Sequence, residues 1–335
     1  MEVGTHTALA VVESSQPSAV RFAARQVVER AGFSETDSYR TGLVATELAT
    51  NLVKHAHGGE ILMRVASDRG VPEVEFIAID RGPGIANLSA ALADGQSTTG
   101  TTGIGLGAVR RLSDEFDIHS CVPHGTAVMA RLRPAEAAGR SRPFVVAGMS
   151  VAKSGETECG DAWTVDHRSD DVVAIVADGL GHGPFAAQAA GAVVQSFRDR
   201  RVESCAEALQ AAHDNVRHTR GAAAAVAYIS RSMRHLRFAG VGNIAAAVLS
   251  DGSMRHVVSH NGTLGHAAIH VREYTYPWPA HALFVMHSDG LVSHWSLDRY
   301  PGLRVRHPAL IAGVLYRDFS RGRDDVTVVV GREAA

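Results

Sequence analysis

Aspartates in four contexts beside apolar runs are the residues of this sequence best suited to metal chemistry. Asp178 and Asp289 each follow an apolar run and precede a glycine, Asp161 lies beside another predicted strand, and Asp324 and Asp325 directly precede the last one. Carboxylates that converge on one sheet edge repel one another unless cations lie between them. Ligands that are all oxygen favour Mg²⁺ or Mn²⁺ over Zn²⁺. The pattern predicts a pair of such ions, which can activate a water and hold a phosphate in line.

Three clusters in the first part of the chain have the residue types of a nucleotide site. Glu47 and Asn51 are four residues apart in a predicted helix, so both side chains can reach one ligand. Asp80 follows an apolar run and begins a glycine-rich turn, where the backbone can approach a ligand. The glycine- and threonine-rich segment 98–107 enters a predicted helix, whose first N–H groups can bind an anion. Each cluster alone is compatible with an ordinary helix surface or turn, but their combination and order favour a nucleotide site.

Other kinds of site are disfavoured by residue spacing. A dinucleotide fold needs a strand directly before the glycine-rich segment, and none is predicted there. No His-x-x-x-His pair lies on a predicted helix and no cysteine lies at ligand spacing, so we expect surface or structural roles for the histidines, including His182 within the Asp178 motif. Cys121, Cys159 and Cys205 are too irregularly spaced for a disulfide framework, so we expect reduced thiols.

Two domains are predicted to position these residues. A chain of 335 residues favours two domains over one. The polar, proline-bracketed segment 134–143 predicts a linker between a domain at 1–133 and another at 144–335. The first domain is predicted to hold a mixed sheet with helices. Long strands around a helical pair predict two packed sheets with outer helices in the second.

Composition excludes several classes of protein. Apolar residues make up 45% and charged residues 20% of the chain, which is typical of folded domains. Lys and Arg number 33 against 35 for Asp and Glu, so the basic excess of a nucleic-acid binder is missing. No apolar run approaches the roughly 20 residues of a membrane span. The first residues lack the layout of a secretory signal, and we expect a cytoplasmic protein.

Residues 7–132 resemble the Bergerat-type ATP-binding fold of the GHKL superfamily, and within it the switch serine/threonine kinases of the RsbT type. The resemblance lies in an N box at 47–51, a first glycine box at 80–84 and a second at 103–107. It implies an α/β sandwich with a mixed sheet and helices on one face. No helix pair carrying a phosphoacceptor histidine precedes the N box, which disfavours a histidine kinase.

This resemblance implies ATP and Mg²⁺ as cofactors and a role for each matching residue. Asn51 would hold Mg²⁺, and Glu47 would be the general base that accepts the proton of a Ser or Thr hydroxyl. Asp80 would accept a hydrogen bond from the adenine amino group, with Thr126 supporting it through water. The other nucleotide-binding residues implied are Gly82, Gly84, Thr99, Gly103, Ile104, Gly105, Leu106 and Gly107.

Residues 144–331 resemble the metal-dependent phosphatases of the protein phosphatase 2C superfamily, in particular the SpoIIE and RsbX branch. The matching segments are 178–183, 240–243 and 261–265. The resemblance implies an αββα sandwich holding two Mn²⁺ or Mg²⁺ ions.

In this resemblance Asp178 would be the catalytic, bridging ligand, and Gly179 would add its carbonyl. Asp289 and Asp324 would complete one ion's shell, and Asp161 would act through water. Asp324 is preferred to Asp325 because it takes the place of the first acid in the family's Asp-Asn/Asp-x-Thr motif. The sequence assigns no arginine to the substrate phosphate.

The two resemblances together imply a bifunctional switch that phosphorylates and dephosphorylates Ser or Thr on STAS-domain partners of stressosome or anti-sigma pathways. A downstream phosphatase or a sigma factor is a further expected partner, whereas nucleic acid and membrane are not. In the alternative, the first domain binds ATP and sequesters or activates a partner without kinase turnover, beside an active phosphatase. A degenerate phosphatase is disfavoured because Asp178, Asp289 and Asp324 are all retained.

Overall fold

The computed structural model describes residues 4–68, 71–93, 105–134, 142–266 and 269–334. Its contacts divide the chain into two compact units. The N-terminal unit is His6–Gly139 with Ser296–Arg317, and the C-terminal unit is Met1–Thr5, Arg140–Trp295 and Asp318–Ala335. The predicted linker at 134–143 and the domain limits beside it stay predictions. None of the helices in the described ranges is long and apolar enough to cross a membrane.

The N-terminal unit contains one five-stranded sheet in the order β1-β2-β3-β5-β4, with antiparallel neighbours throughout. Strand β5 lies between β3 and β4, so those two strands run parallel without pairing. The elements are β1 (Thr7–Val11), α1 (Gln16–Arg30), α2 (Glu35–Ala56), β2 (Gly59–Asp68), β3 (Val71–Ile79), α3 (Leu88–Ala91), α4 (Gly105–Leu112), β4 (Glu115–Ser120) and β5 (Thr126–Leu132).

Helix α2 carries the predicted N box, and its sequence explains its limits. The Ser34 side chain caps the helix by accepting a hydrogen bond from the Asp37 N–H. The buried residues recur at helical spacing, with Leu48 and Leu52 facing the core of the unit. The helix ends at His57, which takes the left-handed conformation with φ of 60°. Helices therefore cover one face of the sheet, as predicted, and α2 turns Glu47 and Asn51 toward one side.

The opposite face of this sheet holds buried charges. Glu75 lies between Arg64, whose Nε is 2.7 Å from Oε1, and Arg131, whose Nη2 is 2.6 Å from Oε2. His6 Nε2 adds a contact of 3.1 Å to Oε1. Burial alone would raise the pKa of Glu75, but Arg131 and Arg64 outweigh it and hold that pKa well below its usual range. Glu75 is therefore an ionised carboxylate at neutral pH.

The segment 296–317 belongs to the N-terminal unit by its contacts, although the sequence places it after Asp289. Asp117 of β4 accepts hydrogen bonds from Arg306 Nη1 at 3.2 Å and from the His307 N–H at 2.7 Å. His119 Nε2 lies 3.0 Å from the Pro301 carbonyl oxygen. This segment therefore lies along β4.

The C-terminal unit contains two five-stranded sheets, ordered β13-β10-β9-β8-β7 and β12-β11-β14-β15-β6. A core that includes Trp163, Phe238 and Phe284 lies between them, and α5 and α6 pack on the outer side of the first sheet. The predicted pair of packed sheets is confirmed. The remaining elements of the chain are β6 (Phe144–Val151), β7 (Asp161–His167), β8 (Asp171–Gly179), α5 (Pro184–Arg198), α6 (Cys205–Asn215), β9 (Ala222–Ser230), β10 (His235–Val241), β11 (Ala245–Ser250), β12 (Ser253–Val257), β13 (Tyr274–Pro277), β14 (Leu283–His287), a 3₁₀ turn (Leu303–Val305), α7 (Pro308–Phe319) and β15 (Val326–Glu333).

Candidate functional sites

A cavity of about 480 Å³ in the N-terminal unit, here called the N-terminal cavity, is lined by six of the predicted nucleotide residues: Asn51, Asp80, Gly84, Gly105, Leu106 and Thr126. Its volume is within the range of small-molecule sites. Helix α2, strands β3 and β5, the segment 83–91 and the start of α4 form its walls. The lining residues are Leu48, Asn51, Leu52, His55, Ala56, Ala78, Asp80, Pro83, Gly84, Ile85, Ala86, Asn87, Ala90, Ala91, Gly105, Leu106, Thr126 and Val128.

Asp80 and Thr126 lie together in the lining of this cavity. Asp80 Oδ1 accepts hydrogen bonds from the Gly82 N–H at 2.8 Å and the Thr126 N–H at 3.1 Å. Burial raises the pKa of Asp80, while these two N–H groups and Arg317 oppose that effect. The Thr126 hydroxyl lies 2.9 Å from the hydroxyl of Ser120, a residue that the sequence did not single out. The carboxylate is thus held in one orientation by the backbone.

Asn51 offers an amide to the cavity, and its Nδ2 is buried without a hydrogen-bond partner among the described residues. A buried amide in that state is suited to a polar ligand. Glu47 lies one turn earlier on α2 and is not among the lining residues. Burial raises the pKa of Glu47, and Lys54 partly offsets the increase. The donor set of this cavity fits a nucleotide, with Asn51 and Glu47 as the residues able to face a magnesium ion.

The glycines of the first box have steric roles. A Cβ at Gly82 would lie 2.7 Å from Ala56 Cα, so the turn packs against the end of α2. Gly84 has φ of +76°, and a Cβ there would lie 2.9 Å from the Cys121 carbonyl oxygen. In the second box, Gly105 and Leu106 line the cavity, and Gly107 is buried in α4. The predicted residues Thr99, Gly103 and Ile104 lie outside the described residues.

Two residues of α7 near this site were not predicted. Arg317 is buried, and its Nη1 donates to the Asp80 carbonyl oxygen at 2.7 Å and lies 3.5 Å from that of Thr126. The Tyr316 hydroxyl lies 3.5 Å from Glu60 Oε1. No sequence signal links 296–317 to the cavity, because the segment follows the predicted metal ligand Asp289.

The C-terminal unit brings acids together in a group that we call the acidic cluster: Asp161, Asp178, Asp289, Asp324 and Asp325. Asp161 and Asp178 are register partners on β7 and β8. Asn243 Nδ2 donates to Asp289 Oδ2 at 2.7 Å and lies 3.4 Å from Asp178 Oδ2. Burial, then Asp289 and Asp324, raises the pKa of Asp178 to about 7. Cations would relieve this repulsion, so the all-oxygen donor set fits Mg²⁺ or Mn²⁺.

These acids lie near one another but do not form a complete set of metal ligands among the described residues. Across the described ranges, no three or more His, Cys, Asp or Glu side chains form a ready-made metal site. Gly179 follows Asp178, and a Cβ there would lie 2.1 Å from the Ala186 carbonyl oxygen, so the position requires glycine. The metal-binding roles of Asp178, Gly179, Asp289 and Asp324 stay predictions.

Asp161 lies deeper than Asp178 and is held by hydroxyl groups. Its Oδ2 accepts from Ser288 Oγ at 2.6 Å, and the Thr327 N–H donates to the same hydroxyl at 2.9 Å. Burial, then the charge of Asp178, raises the pKa of Asp161 well above its ordinary value. The water-mediated role of Asp161 stays a prediction.

Asp325 joins the cluster although the sequence favours Asp324. Asp325 is buried, and its Oδ1 accepts a hydrogen bond from the Lys153 N–H at 2.9 Å. Its Oδ2 has no hydrogen-bond partner among the described residues. Asp324 is half-buried, and its Oδ1 accepts from the Asp325 N–H at 3.0 Å. Both acids contribute to the raised pKa of Asp178.

Two histidines near the acidic cluster bind residues outside it, and the one cysteine described there is a free thiol. His182 Nδ1 lies 2.6 Å from Glu156 Oε1. His287 Nε2 accepts a hydrogen bond from Trp295 Nε1 at 3.1 Å. Cys159 is free, and burial beside Asp161 and Asp325 raises the pKa of its thiol, which disfavours a reactive thiolate.

Comparisons with protein families divide the chain in the same order. Residues 12–132 match the histidine kinase-like ATPase domain, and residues 168–332 match stage II sporulation protein E, SpoIIE. The serine/threonine-protein kinase RsbT of Bacillus subtilis (strain 168) is 38% identical over 112 residues, which are 33% of this chain and 84% of RsbT. The phosphoserine phosphatase RsbX of the same strain is 28% identical over 143 residues, which are 42% of this chain and 70% of RsbX.

Two solved structures are similar to this chain. One comes from work on the bacterial stressosome as a modular system adapted to control secondary messenger signaling. It has a TM-score of 0.53 and 30% identity, over 56% of this chain and 99% of that one. The other is RsbX in complex with magnesium, with a TM-score of 0.50 and 22% identity, over 58% of this chain and 98% of that one. The second similarity concerns the fold alone.

Proposed function

The chain belongs to the histidine kinase-like ATPase family of RsbT and continues into a SpoIIE-type domain related to RsbX, and we propose that it is a bifunctional protein serine/threonine kinase and phosphatase. The observation that supports the proposal is one contact between predicted residues in each unit. Asp80 meets Thr126 in the N-terminal cavity, and Asp178 meets Asp289 in the acidic cluster.

In the kinase reaction, the N-terminal cavity would bind ATP. Asp80 would accept a hydrogen bond from the adenine amino group, since Gly82 and Thr126 already fix its carboxylate. Asn51 would hold Mg²⁺, which offsets the charge of the triphosphate when bound. Glu47 would accept the proton of the acceptor hydroxyl, and its raised pKa makes it a better proton acceptor than an exposed glutamate.

In the phosphatase reaction, Asp178, the Gly179 carbonyl, Asp289 and Asp324 would hold two divalent ions. When bound, such ions supply an activated water and hold the phosphate in line. Ser288 would keep Asp161 in place behind them. Asn243 would orient the facing oxygens of Asp178 and Asp289.

We further propose that the substrates are Ser or Thr residues of STAS-domain proteins, with a downstream phosphatase or a sigma factor as a second partner. The support is the similarity to RsbT, to RsbX and to a structure from work on the stressosome. The two activities then act in opposite directions on one pathway, and their balance sets the phosphorylation state of the partner.

A second candidate is an ATP-dependent binding module fused to an active phosphatase. One observation favours it: Glu47, the proposed base, does not line the N-terminal cavity of the described residues. In this scheme ATP orders a surface that sequesters or activates a partner, and no phosphoryl group is transferred.

The test uses the purified chain, a STAS-domain protein encoded beside its gene, and γ-labelled ATP with Mg²⁺. We expect label to appear on the partner and then to leave it once ATP is removed and Mn²⁺ is added. Glu47→Ala should abolish labelling but leave nucleotide binding intact, and Asp178→Asn should abolish the removal only. Nucleotide binding without any labelling of the partner would favour the binding module instead.

A further inference from the structure

Arg220 lies in the turn before β9, beside the acidic cluster. We propose that it binds the phosphate group of the phosphoprotein substrate and is a positioning and specificity residue of the phosphatase. This inference rests on the proposed phosphatase function. It supplies the substrate-binding cation that the sequence left unassigned.

Backbone pairing brings this turn to the acidic cluster. On the adjacent strands β8 and β9, Asp178 pairs with Ala223, and Gly179 pairs with Ala222. The pairing continues beyond the strands, because the Leu180 N–H donates to the Gly221 carbonyl oxygen at 3.0 Å. Arg220 therefore leads directly into the strand that faces Asp178.

The guanidinium lies over the glycine-rich turn that follows Asp178. Arg220 Nη1 is 3.3 Å from the position that a Cβ would take at Gly181. Gly181 has φ of +92°, a conformation that favours glycine, so the backbone disfavours a side chain there. With glycine at this position, the space beside the turn is occupied by the Arg220 guanidinium.

An aromatic ring orients the guanidinium and leaves its donors available. The Arg220 guanidinium carbon lies 4.7 Å from the ring centroid of Phe185, at the start of α5. Stacking of this kind fixes the plane of the guanidinium without using its N–H groups. Arg220 is exposed, and no carboxylate pairs with it among the described residues. In contrast, Arg217 in the same turn pairs with Asp214 at 2.9 Å.

The surroundings fit a phosphorylated peptide. A guanidinium can donate two parallel hydrogen bonds to a phosphate. Leu180 and Phe185 are exposed by 40% and 60%, and they offer apolar contact to the residues that flank a phosphoserine. The neighbouring acid Glu156 is engaged by His182. The positive charge of Arg220 would also offset the repulsion that the acidic cluster exerts on an incoming dianion.

The test compares the full chain with Arg220→Ala, Arg220→Lys and the control Arg217→Ala, using a phosphoserine peptide and Mn²⁺. We expect Arg220→Ala to raise KM about tenfold or more, with kcat little changed, since hydrogen bonds to charged groups contribute at least about that factor. Arg220→Lys should recover part of the loss because lysine keeps the charge but not the fork. Arg217→Ala should match the wild type.

A binding measurement separates this inference from the proposed function. In an Asp178→Asn background, a fluorescein-labelled phosphoserine peptide should bind more tightly than its serine counterpart, and adding Arg220→Ala should remove the difference. Wild-type activity with an unchanged KM and unchanged peptide binding in Arg220→Ala would overturn the role of Arg220 alone. Absence of Mn²⁺-dependent dephosphorylation in the wild type would instead overturn the proposed phosphatase.

Discussion

The N-terminal cavity and the acidic cluster differ in how neighbouring groups change the pKa of a carboxylate. Burial raises the pKa of both Asp80 and Asp178. Around Asp80 the neighbours oppose the increase, because two backbone N–H groups and Arg317 favour the charged form. Around Asp178 the neighbours Asp289 and Asp324 add to it.

This difference indicates what each site lacks. The N-terminal cavity is a preorganised hydrogen-bond acceptor, ready for a polar ligand with donors. The acidic cluster has an excess of negative charge, and cations are the natural complement to it. We therefore expect the first site to depend on its fixed hydrogen bonds and the second to depend on bound cations.

The largest expected effect is on the phosphatase. Asp178→Asn should lower the rate of dephosphorylation by about 10³-fold or more, as loss of a central catalytic group commonly does. The variant should keep the affinity of the N-terminal cavity for ATP. The measurements are release of phosphate from a phosphoserine peptide with Mn²⁺ and equilibrium binding of labelled ATP.

Asp178→Asn should lower the rate of dephosphorylation but increase the stability of the metal-free protein. The folded pKa of about 7 lies above the ordinary value of 3.8 for aspartate. Ionised Asp178 therefore destabilises the metal-free fold increasingly as pH rises from about 4 to 7. Asp178→Asn should therefore raise the free energy of unfolding at pH 8 in EDTA. Denaturant titration of the wild type and the variant measures this difference. An unchanged or lowered value would show that the acids are not in mutual repulsion.

The next largest effect concerns Glu75, on the sheet face opposite α2. Glu75→Gln would remove the buried carboxylate that pairs with both Arg64 and Arg131 and should destabilise the N-terminal unit by about 3–5 kcal/mol. Glu29→Gln is the matched control, since its pair with Arg25 is exposed. Urea unfolding of both variants gives the comparison, and equal losses would contradict the role of burial.

The same network predicts loss of stability in acid. The folded pKa of Glu75 is depressed, so its contribution is present above the unfolded value of about 4.3 and is lost as pH falls toward the folded value. Burial lowers the pKa of His6, so protonation of the unfolded chain begins to weaken the fold below about pH 6.5. Melting temperatures measured over a series of pH values test both losses of stability. Glu75→Gln should remove the loss at the lower pH, below about 4.3.

Sequence patterns predicted those parts of each site that depend on residues close together in the chain. Asp80 and Asp178 stand directly after β3 and at the end of β8, where an apolar run stops and glycine permits a turn. The periodicity of α2 placed Glu47 and Asn51 on one side of a helix. Such features depend on neighbours within a few residues, and a single sequence displays them.

Contacts between distant segments were beyond those patterns. Arg317 reaches the Asp80 carbonyl across 237 positions, and Asn243 joins Asp178 to Asp289. The preference for Asp324 comes from its place in the family motif, and that motif does not show that the neighbouring Asp325 is the buried acid of the two. Hydrophobic periodicity and turn residues in a single sequence do not show which distant segments contact each other in the fold.

A smaller effect is expected from Asp80→Asn in the N-terminal cavity. Asparagine keeps the size of the side chain but weakens the acceptor that would face the adenine amino group. ATP affinity should fall about tenfold or more, as for loss of a hydrogen bond to a charged group. Phosphatase activity toward a phosphoserine peptide is the internal control and should not change. Asn87→Ser, on the exposed rim of the same cavity, keeps a side-chain oxygen that can cap α3 at the Ala90 N–H, and it should leave ATP affinity within about twofold because no charged acceptor is lost.

The smallest effect concerns Arg317, which holds the backbone of Asp80 rather than the ligand. Arg317→Met keeps the apolar stem but removes the hydrogen bonds to the Asp80 and Thr126 carbonyl oxygens. Leaving the buried Asp80 carbonyl oxygen without its Arg317 donor should lower the free energy of unfolding by about 1–3 kcal/mol, whereas the Thr126 carbonyl oxygen keeps its hydrogen bond from the Asp80 N–H. ATP affinity should fall only a few-fold, since the Asp80 carboxylate keeps its contacts to Gly82 and Thr126. Arg304→Met, which removes an exposed pair with Asp298, is the control from the same segment. Equal unfolding curves for the two variants would show that the segment 296–317 does not support the N-terminal cavity.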